Sequence, residues 1–445
     1  MENVSSVKDI VLLFDRYSTE SQNLHKSFKL ANRPHRAVVI EDDGFLDDSV
    51  ISVFTSFIVG INEGKPRYFN QIVVPKYWEI SGTNTNGKVH NLNHERARIF
   101  YAEPTFKRLV KAVDWLDDKG VVRVSDHYNK HGHLYAKTIF NGKGQKVTKS
   151  YFDGLGKEII VRNFVTGDII LNDGPAIRIF KNLQKFVEFF FEKNGMIESR
   201  IFYNTLSTSF FVSHHLPGAH TEDMLFWNEP INNEVPGNMK LILDGNSART
   251  RKIMVQRRDA YEKLIKLGVE ASKIEQLGYC YEYAKENAYG KEALICTNSD
   301  NIAHCVKLVE ALPEIHFHIA AITEMSSKLM SMGSYNNVTL YPNVKMSKVK
   351  ELFMQCDYYL DINHGNEILS AVWKAFLHNH VIFAFNETVH NRMYIAKEHI
   401  YSINEVDKLI SNLKELMGDK NKVNEHIKCQ KAYAMSESVD KYQEI

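Results

Sequence analysis

Cysteine is scarce in this sequence, and the five cysteines are widely spaced with no CxxC pair among them. An odd number at such spacings argues against a disulfide framework and predicts reduced thiols that serve as small apolar residues. The amino terminus, MENVSSVKDIVLLF, lacks the charged start, long apolar stretch and small-residue cleavage site of a secretory signal. We therefore expect a chain that stays in the cytoplasm.

Long apolar runs and an excess of either charge are also missing. No run of about 18 apolar residues occurs, so no transmembrane helix is predicted. Lys plus Arg number 55 and Asp plus Glu number 54, which argues against a nucleic-acid binder that works through bulk charge. Neither a G-x-S-x-G nucleophile pattern nor a P-loop is present. The sequence thus predicts neither a serine hydrolase nor a P-loop nucleotidase.

The length of 445 residues and a hydrophobic content of 44 % allow two or three domains with large cores. A buried-strand run at 10–14, a helical stretch and a second strand at 37–40 predict a βαβ opening. From about 50 to 180, short aromatic and β-branched segments are separated by turn signals such as NTNG, DDKG and NGKGQ. This pattern of strand-forming segments and turns predicts an antiparallel meander of hairpins inserted into the βα domain.

Regular alternation of strands and helices resumes after the meander and continues from residue 292 onward. It predicts α/β architecture with a doubly wound parallel sheet, whose ligands bind beyond the carboxyl ends of the strands. We expect an N-terminal domain at 1–50 and 181–245, an inserted β-sheet domain at 51–180 and a C-terminal domain at 246–445. The loops at the expected binding edge are 297–301, 323–327, 342–346 and 363–367.

One strand–loop–helix segment, YYLDINHGNEILSAVWKAF, resembles the donor-site element of two-domain retaining glycosyltransferases of the GT-B type. In that family the element carries two acidic residues, which fall here on Asn366 and Lys374. The second acid accepts hydrogen bonds from ribose hydroxyls in the family, and a Lys ammonium has no acceptor with which to do so. The first faces the transferred sugar, and Asn offers only a neutral amide.

A third donor-site feature is also missing, because Asp300 stands in the segment where a cation would neutralise a diphosphate. Two interpretations of Glu367 stay open. It is either a shifted catalytic carboxylate, or it sits at the positive end of a helix that Asn366 caps.

Motifs along nearly the whole chain, among them DDGFL, WEISGTN, VDWLDDKG, DHYNKHG, TGDIILN and YLDINHGNE, carry a closer resemblance. They are similar to the non-catalytic stabilising subunit of the accessory-Sec protein O-GlcNAc transferase of Gram-positive bacteria. The resemblance implies a GT-B-like fold with two Rossmann-like domains facing a cleft and an extended antiparallel β-sheet module inserted in the first. It implies a pseudo-enzyme with no cofactor.

The resemblance also implies partners and a location. The catalytic partner is a homologous glycosyltransferase, in a complex of two copies of each subunit, and the β module is implicated in subunit contact. The other partner is a Ser/Thr-rich repeat adhesin polypeptide, glycosylated before export. The complex associates peripherally with the cytoplasmic face of the membrane. An active retaining glycosyltransferase using UDP-GlcNAc, and a pure assembly protein, are the alternatives.

The polar loops of the C-terminal domain are our candidate contacts for the acceptor polypeptide; the alternative is that they only cap helices and close turns. The candidate residues are Asn298, Ser299, Asp300, Asn363, His364 and Glu367.

Three further patterns have a structural and a functional interpretation each. His127, His131 and His133 are spaced as zinc ligands can be, but in a hairpin a structural role is favoured, and no metal is predicted. The basic segment SARTRKIMVQRR predicts a solvated face or an anion-binding patch. The segment KFVEFFFEKNG predicts a core-facing helix, with a membrane-surface helix as the alternative.

Overall fold

The apolar run predicted near the amino terminus forms a strand of a seven-stranded parallel sheet. A computed structural model describes residues 9–218 and 221–445. Residues 1–8 lie outside the described residues. They belong to the expected N-terminal domain and to the amino-terminal segment that lacks the features of a secretory signal. Ser18 starts the first helix by accepting the Ser21 N–H. The opening elements are β1 (Ile10–Arg16), α1 (Thr19–Leu30), β2 (His35–Glu41) and β3 (Val50–Ser52).

Ten strands then form an antiparallel meander in which each strand pairs with its neighbours along the chain. Four of its turns share one local design, in which an Asn or Asp side chain accepts two backbone N–H groups. The Asn141 side chain accepts the N–H groups of Lys143 and Gln145, and Gly144 takes a φ of 73° that a turn of this kind requires. The strands are β4 (Glu79–Gly82), β5 (Asn86–Asn91), β6 (His94–Tyr101), β7 (Val110–Leu116), β8 (Val122–Tyr128), β9 (Leu134–Phe140), β10 (Lys146–Phe152), β11 (Glu158–Asn163), β12 (Ile169–Asp173) and β13 (Ala176–Phe180).

The parallel sheet resumes after the meander, and its strand order is β17-β16-β15-β14-β1-β2-β3. The Phe-rich segment forms a helix that buries Phe186, Val187, Phe190 and Phe191 in the core of this unit, as the core-facing interpretation predicts. The elements are α2 (Leu183–Lys193), β14 (Arg200–Tyr203), α3 (Thr208–His215), β15 (Asp223–Trp227), α4 (Gly237–Leu243), β16 (Thr250–Val255), α5 (Arg258–Lys266) and β17 (Ile274–Gln276).

A second compact unit, Leu277–Ile445, is built on a six-stranded parallel sheet of order β20-β19-β18-β21-β22-β23. The apolar strands are buried on both faces, as parallel sheets require. The elements are β18 (Glu292–Cys296), α6 (Cys305–Ala311), β19 (His316–Ala320), α7 (Ser327–Met330), β20 (Val338–Tyr341), α8 (Met346–Gln355), β21 (Tyr358–Asp361), α9 (Ala371–Leu377), β22 (Val381–Phe385), β23 (Ile400–Tyr401), α10 (Val406–Leu416), α11 (Lys420–Tyr433) and α12 (Val439–Gln443).

The predicted α/β class, with parallel sheets and an antiparallel sheet, is confirmed. The sheet pairing places two of the segment boundaries differently from the expected ones. The expected C-terminal domain began at 246, but β16 pairs with β15 and β17 pairs with β16, so the first unit extends to Gln276. The expected insertion began at 51, but β3 pairs in parallel with β2, and the antiparallel sheet begins only at β4.

Candidate functional site

The second sheet reverses its strand order between β18 and β21, and a binding site is expected beyond the carboxyl ends of these two strands. The loops that follow them are tied together there. The Thr297 hydroxyl donates to Asn363 Oδ1 at 2.7 Å, and the His364 N–H donates to the Asn301 carbonyl at 3.0 Å. The loops 297–301 and 363–367 therefore form one surface, which we call the switch-point site.

The centre of the switch-point site contains a buried amide with an unused donor. Asn363 is 2 % exposed, and its Nδ2 has no hydrogen-bond partner among the described residues. Gly365 lies against it: a Cβ on this glycine would stand 3.1 Å from Asn363 Nδ2 and 3.2 Å from the Cβ of Ser299. A buried donor normally finds an acceptor, so this group is available to a ligand's oxygen.

An ion pair between the half-buried His390 and the buried Asp361 holds the second loop of the site. His390 Nδ1 lies 2.5 Å from Asp361 Oδ1, and its Nε2 lies 2.7 Å from the Gly365 carbonyl oxygen. Both ring nitrogens face acceptors, so both carry protons. The bond to Asp361 and the Gly365 carbonyl raise the pKa of His390 to about 9, against the opposing effect of burial. The loop is thus fixed by an imidazolium at neutral pH.

The helix after this loop begins later than the sequence predicts. Leu369 and Ser370 have φ values of 62° and 49°, which break the expected helix, and α9 starts only at Ala371. The expectation that Asn366 caps it is therefore wrong, and Asn366 is exposed in the loop. Glu367 caps the start of α9 instead, because its Oε1 accepts the Val372 N–H at 3.0 Å.

Glu367 and Lys374 form an oppositely charged pair of partly buried groups. Burial raises the pKa of Glu367 and lowers the pKa of Lys374, while each group's charge acts to offset the shift of the other. Lys374 has only donors, so the position of the family's ribose-binding acid provides no acceptor. This geometry fits the degenerate interpretation of the donor-site positions Asn366 and Lys374.

The outer candidates lie on the exposed rim of the same edge. Asn298 Oδ1 is 3.5 Å from the Thr323 hydroxyl, and Asp300 Oδ2 accepts from the Ser326 hydroxyl at 3.1 Å. The structure thus brings Asn298, Ser299, Asp300, Asn363 and His364 together across neighbouring loops, and the Glu367 cap adjoins them.

The residues that organise the site were not singled out from the sequence. Thr297 lies in the expected edge loop 297–301, but nothing in the sequence indicates its bond to Asn363, which is 66 residues away. His390 is 29 residues from Asp361, in a segment with no recognisable pattern. Only an alignment of related chains could have linked such distant positions.

The other patterns have local structural roles. His127 Nε2 bonds the Thr138 hydroxyl at 2.8 Å, and His133 Nε2 bonds the Glu63 carbonyl at 2.7 Å. Among residues 9–218 and 221–445 no group of three or more His, Cys, Asp or Glu side chains is arranged to hold a metal ion. Arg249, expected on a solvated or anion-binding face, is instead fully buried and paired with Asp223 at 2.9 Å.

No helix in the described part of the chain is long and apolar enough to cross a membrane.

Comparison with known proteins identifies the family. A protein of Streptococcus gordonii named UDP-N-acetylglucosamine–peptide N-acetylglucosaminyltransferase stabilizing protein GtfB is 43 % identical over 440 residues, covering 98 % of each chain. The chain belongs to the GtfB family. A GtfB of Limosilactobacillus reuteri is 36 % identical over 437 residues, covering 97 % of this chain and 98 % of that one.

Family models match this GtfB-family chain along most of its length. They are the GtfB N-terminal domain at 11–57, the GtfB middle domain at 78–181, the GtfB third domain at 183–267 and the GftB/GlyA-F C-terminal domain at 293–430.

Solved structures give the same assignment. A chain in the crystal structure of the GtfA/B complex bound to UDP and GlcNAc superposes with a TM-score of 0.93 at 42 % identity, covering 98 % of both chains. The pneumococcal O-GlcNAc transferase GtfA superposes with a TM-score of 0.53 at 10 % identity, covering 98 % of each chain, which shows a shared glycosyltransferase fold alone.

Proposed function

We propose that this chain is a non-catalytic subunit that stabilises a catalytic peptide N-acetylglucosaminyltransferase, a homologous glycosyltransferase, in one complex. Its relatives carry the name of stabilising protein for such an enzyme. The single observation in this chain that supports the proposal most is Lys374, a partly buried ammonium at the position of the family's acceptor for ribose hydroxyls. The switch-point site keeps the fold of a donor site without its acids.

We further propose that the chain binds the Ser/Thr-rich adhesin polypeptide before its accessory-Sec export, and that the switch-point site contributes to this binding. The support lies in its neutral polar groups, which suit peptide groups and hydroxyls: the Asn363 donor, and the Ser299 hydroxyl, which accepts the Asn301 N–H and keeps its own hydrogen to donate. Asn298, Asp300, His364 and Glu367 are the proposed rim. The same site with Glu367 as a catalytic carboxylate is disfavoured, because that carboxylate is used to cap α9.

The finer architecture follows the GT-B pattern in this proposal: two Rossmann-like domains facing a cleft, with the β module inserted in the first. The module is the proposed contact for the catalytic partner in a complex of two copies of each subunit. In support, its edge strand β13 exposes Ile177 and Ile179, which are 71 % and 61 % exposed. Peripheral association of the complex with the cytoplasmic face of the membrane completes the proposal.

Coexpression tests this function. The catalytic partner is produced with and without this chain, and we expect the chain to raise its soluble yield, its melting temperature and its transfer of N-acetylglucosamine to a Ser/Thr-rich polypeptide. The purified chain alone should show neither transfer nor hydrolysis of UDP-GlcNAc.

An unchanged yield and melting temperature of the partner would contradict the stabilising role. Donor turnover by the chain alone would establish the alternative, an active retaining glycosyltransferase.

A further inference from the structure

Three adjacent strands of the first sheet each end immediately before a carboxamide side chain. Asn204 follows β14, Asn228 follows β15 and Gln256 follows β16. We call these three residues the carboxamide row. The strands are parallel and neighbouring, so the row runs along the carboxyl edge of the sheet, where open α/β sheets bind ligands.

The strand register places the last two members of the row side by side. Trp227 pairs with Val255, and the Gln256 N–H donates to the Trp227 carbonyl at 2.8 Å. The next two residues, Asn228 and Gln256, are therefore neighbours across the sheet, about 4.8 Å apart along the direction of strand pairing.

The third member lies on the same face. Side chains alternate along a strand, so Asn204 shares the face of Phe202, and Asn228 shares the face of Phe226. Phe202 and Phe226 both contact Phe28 of α1, at ring-centroid distances of 5.8 and 6.1 Å. All three carboxamides thus belong to the α1 side of the sheet.

Asn204 and Gln256 are buried, Asn228 is half-buried, and the row is rich in unused hydrogen-bonding atoms. Gln256 is 1 % exposed, and neither its Nε2 nor its Oε1 has a partner among the described residues. Asn228 Nδ2 and Asn204 Oδ1 also have no hydrogen-bond partner among the described residues, whereas Asn204 Nδ2 donates to the Ser21 hydroxyl at 3.0 Å. Buried polar atoms are nearly always paired in native proteins, so four unpaired atoms in one row are available to hydrogen-bond a ligand.

A buried glutamine elsewhere in the chain shows what a purely structural carboxamide does. Gln430 is 1 % exposed, its Nε2 donates to the His380 carbonyl at 3.0 Å, and its Oε1 accepts the Ile382 N–H at 3.1 Å. Both halves of that group bind backbone, which fixes α11 to β22. Gln256 makes neither kind of bond.

The hydrogen-bonding groups of a carboxamide indicate which kind of ligand the row binds. A carboxamide offers an acceptor oxygen and two donor hydrogens without charge, which is the complement of a secondary amide with its carbonyl and N–H. We propose that the carboxamide row binds secondary amide groups of the acceptor, namely the peptide groups of an extended Ser/Thr-rich segment. This inference rests on the proposed acceptor binding and adds a second site for it, in the first unit.

Space for such a segment adjoins one end of the row. Ser21, which bonds Asn204, lies between Ser18 and Gln22, and those two residues line a cavity of about 970 Å³. That volume accommodates several residues of a polypeptide, so a segment bound at the Asn204 end of the row has room beside the start of α1.

The test compares Gln256→Met with Gln430→Met in the full chain. Peptide affinity is measured by calorimetry with an unmodified Ser/Thr-rich repeat peptide, and stability is measured as the melting temperature. We expect Gln256→Met to weaken peptide binding about tenfold, through loss of one or two neutral hydrogen bonds. Its melting temperature should be unchanged or raised, because no intramolecular bond is lost. Asn228→Leu should also weaken peptide binding at an unchanged melting temperature.

The control should behave in the opposite way. Gln430→Met removes two internal hydrogen bonds, so its melting temperature falls while the peptide affinity is retained. If Gln256→Met and Asn228→Leu bind peptide as tightly as the wild type does, the inference is overturned, while the proposed function stands. If the wild-type chain binds no peptide, both this inference and the acceptor-binding part of the proposed function are wrong.

The acetamide of N-acetylglucosamine is the other source of a secondary amide. Competition with free N-acetylglucosamine and with glucose, which lacks the amide, separates the two sources. Peptide binding that depends on Gln256 and resists both sugars supports the peptide groups as the ligand. Competition by N-acetylglucosamine alone would overturn that choice and assign the row to sugar already attached to the acceptor.

Discussion

Single residues decide whether the switch-point site can perform donor chemistry. Lys374 provides donors where the glycosyltransferase family provides an acceptor, and Asn366 lies exposed in a loop instead of at the start of a helix. Glu367 remains as a carboxylate, but its Oε1 is bonded to the Val372 N–H. We therefore infer that the Glu367 carboxylate has a structural role at this site.

Substitution of Glu367 tests the structural role. Glu367→Gln keeps an acceptor for the Val372 N–H, so the kcat of the complex at saturating acceptor should be unchanged, and any effect should be confined to KM. Glu367→Ala removes the cap and should lower the free energy of unfolding by about 1 kcal/mol. Steady-state kinetics and thermal melts measure both. A kcat that falls a hundredfold in Glu367→Gln would make Glu367 catalytic.

The pH dependence of stability tests the His390–Asp361 pair. The folded-state pKa of His390 is raised from 6.5 to about 9, so its contribution is complete below pH 6.5 and is lost as the pH rises through 9. We expect the melting temperature of the wild type to fall over that window by more than that of His390→Gln. If the melting temperatures of the two proteins fall equally over this pH range, the ion pair is contradicted.

Elements, and not isolated residues, bring the site together. The reversal of strand order between β18 and β21 sets the loops 297–301 and 363–367 side by side, and their contacts cross the reversal. The sequence predicted these strands, and hence the edge at which the site lies. It did not predict the late start of α9, because the left-handed conformations of Leu369 and Ser370 depend on packing that no local pattern reveals.

Gly365→Ala tests the loop as an element. The added Cβ would approach Asn363 Nδ2 to 3.1 Å and the Ser299 Cβ to 3.2 Å, so the two loops must separate by a few tenths of an ångström. We expect a several-fold loss of affinity for unmodified Ser/Thr-rich peptide by calorimetry. Gly333→Ala is the control, because its nearest neighbour is the Leu340 side chain at 3.4 Å. Equal peptide affinities in both variants would exclude this loop from peptide binding.

The edge strand β13 of the β module is the second element with a testable role. Ile179→Lys places a charge on a side chain that is 61 % exposed, so the free energy of unfolding should change by less than about 0.5 kcal/mol. If this edge contacts the catalytic partner, the affinity of the two subunits should fall at least about tenfold. Leu155→Lys, at a turn residue that is 96 % exposed, is the matched control. Unchanged affinity in Ile179→Lys would place the contact elsewhere.

At the scale of the whole molecule, the sequence predicted the class of fold and the family, but not where the units divide. The expected boundary at 246 fell where the pattern changes, whereas Thr250–Val255 and Ile274–Gln276 complete the first sheet. Strand pairing over long separations is invisible in local periodicity. For the same reason the carboxamide row and the His390–Asp361 pair emerge only when distant segments are seen side by side.

For the molecule as a whole, we propose that a glycosyltransferase fold has lost its donor site and presents polar edges suited to polypeptide. The most direct test is calorimetry on the purified chain, with UDP-GlcNAc in one titration and an unmodified Ser/Thr-rich repeat peptide in the other. We expect heat of binding for the peptide and none for the nucleotide. Nucleotide binding in the micromolar range would contradict the interpretation of Asn366 and Lys374, and the chain would then be an enzyme.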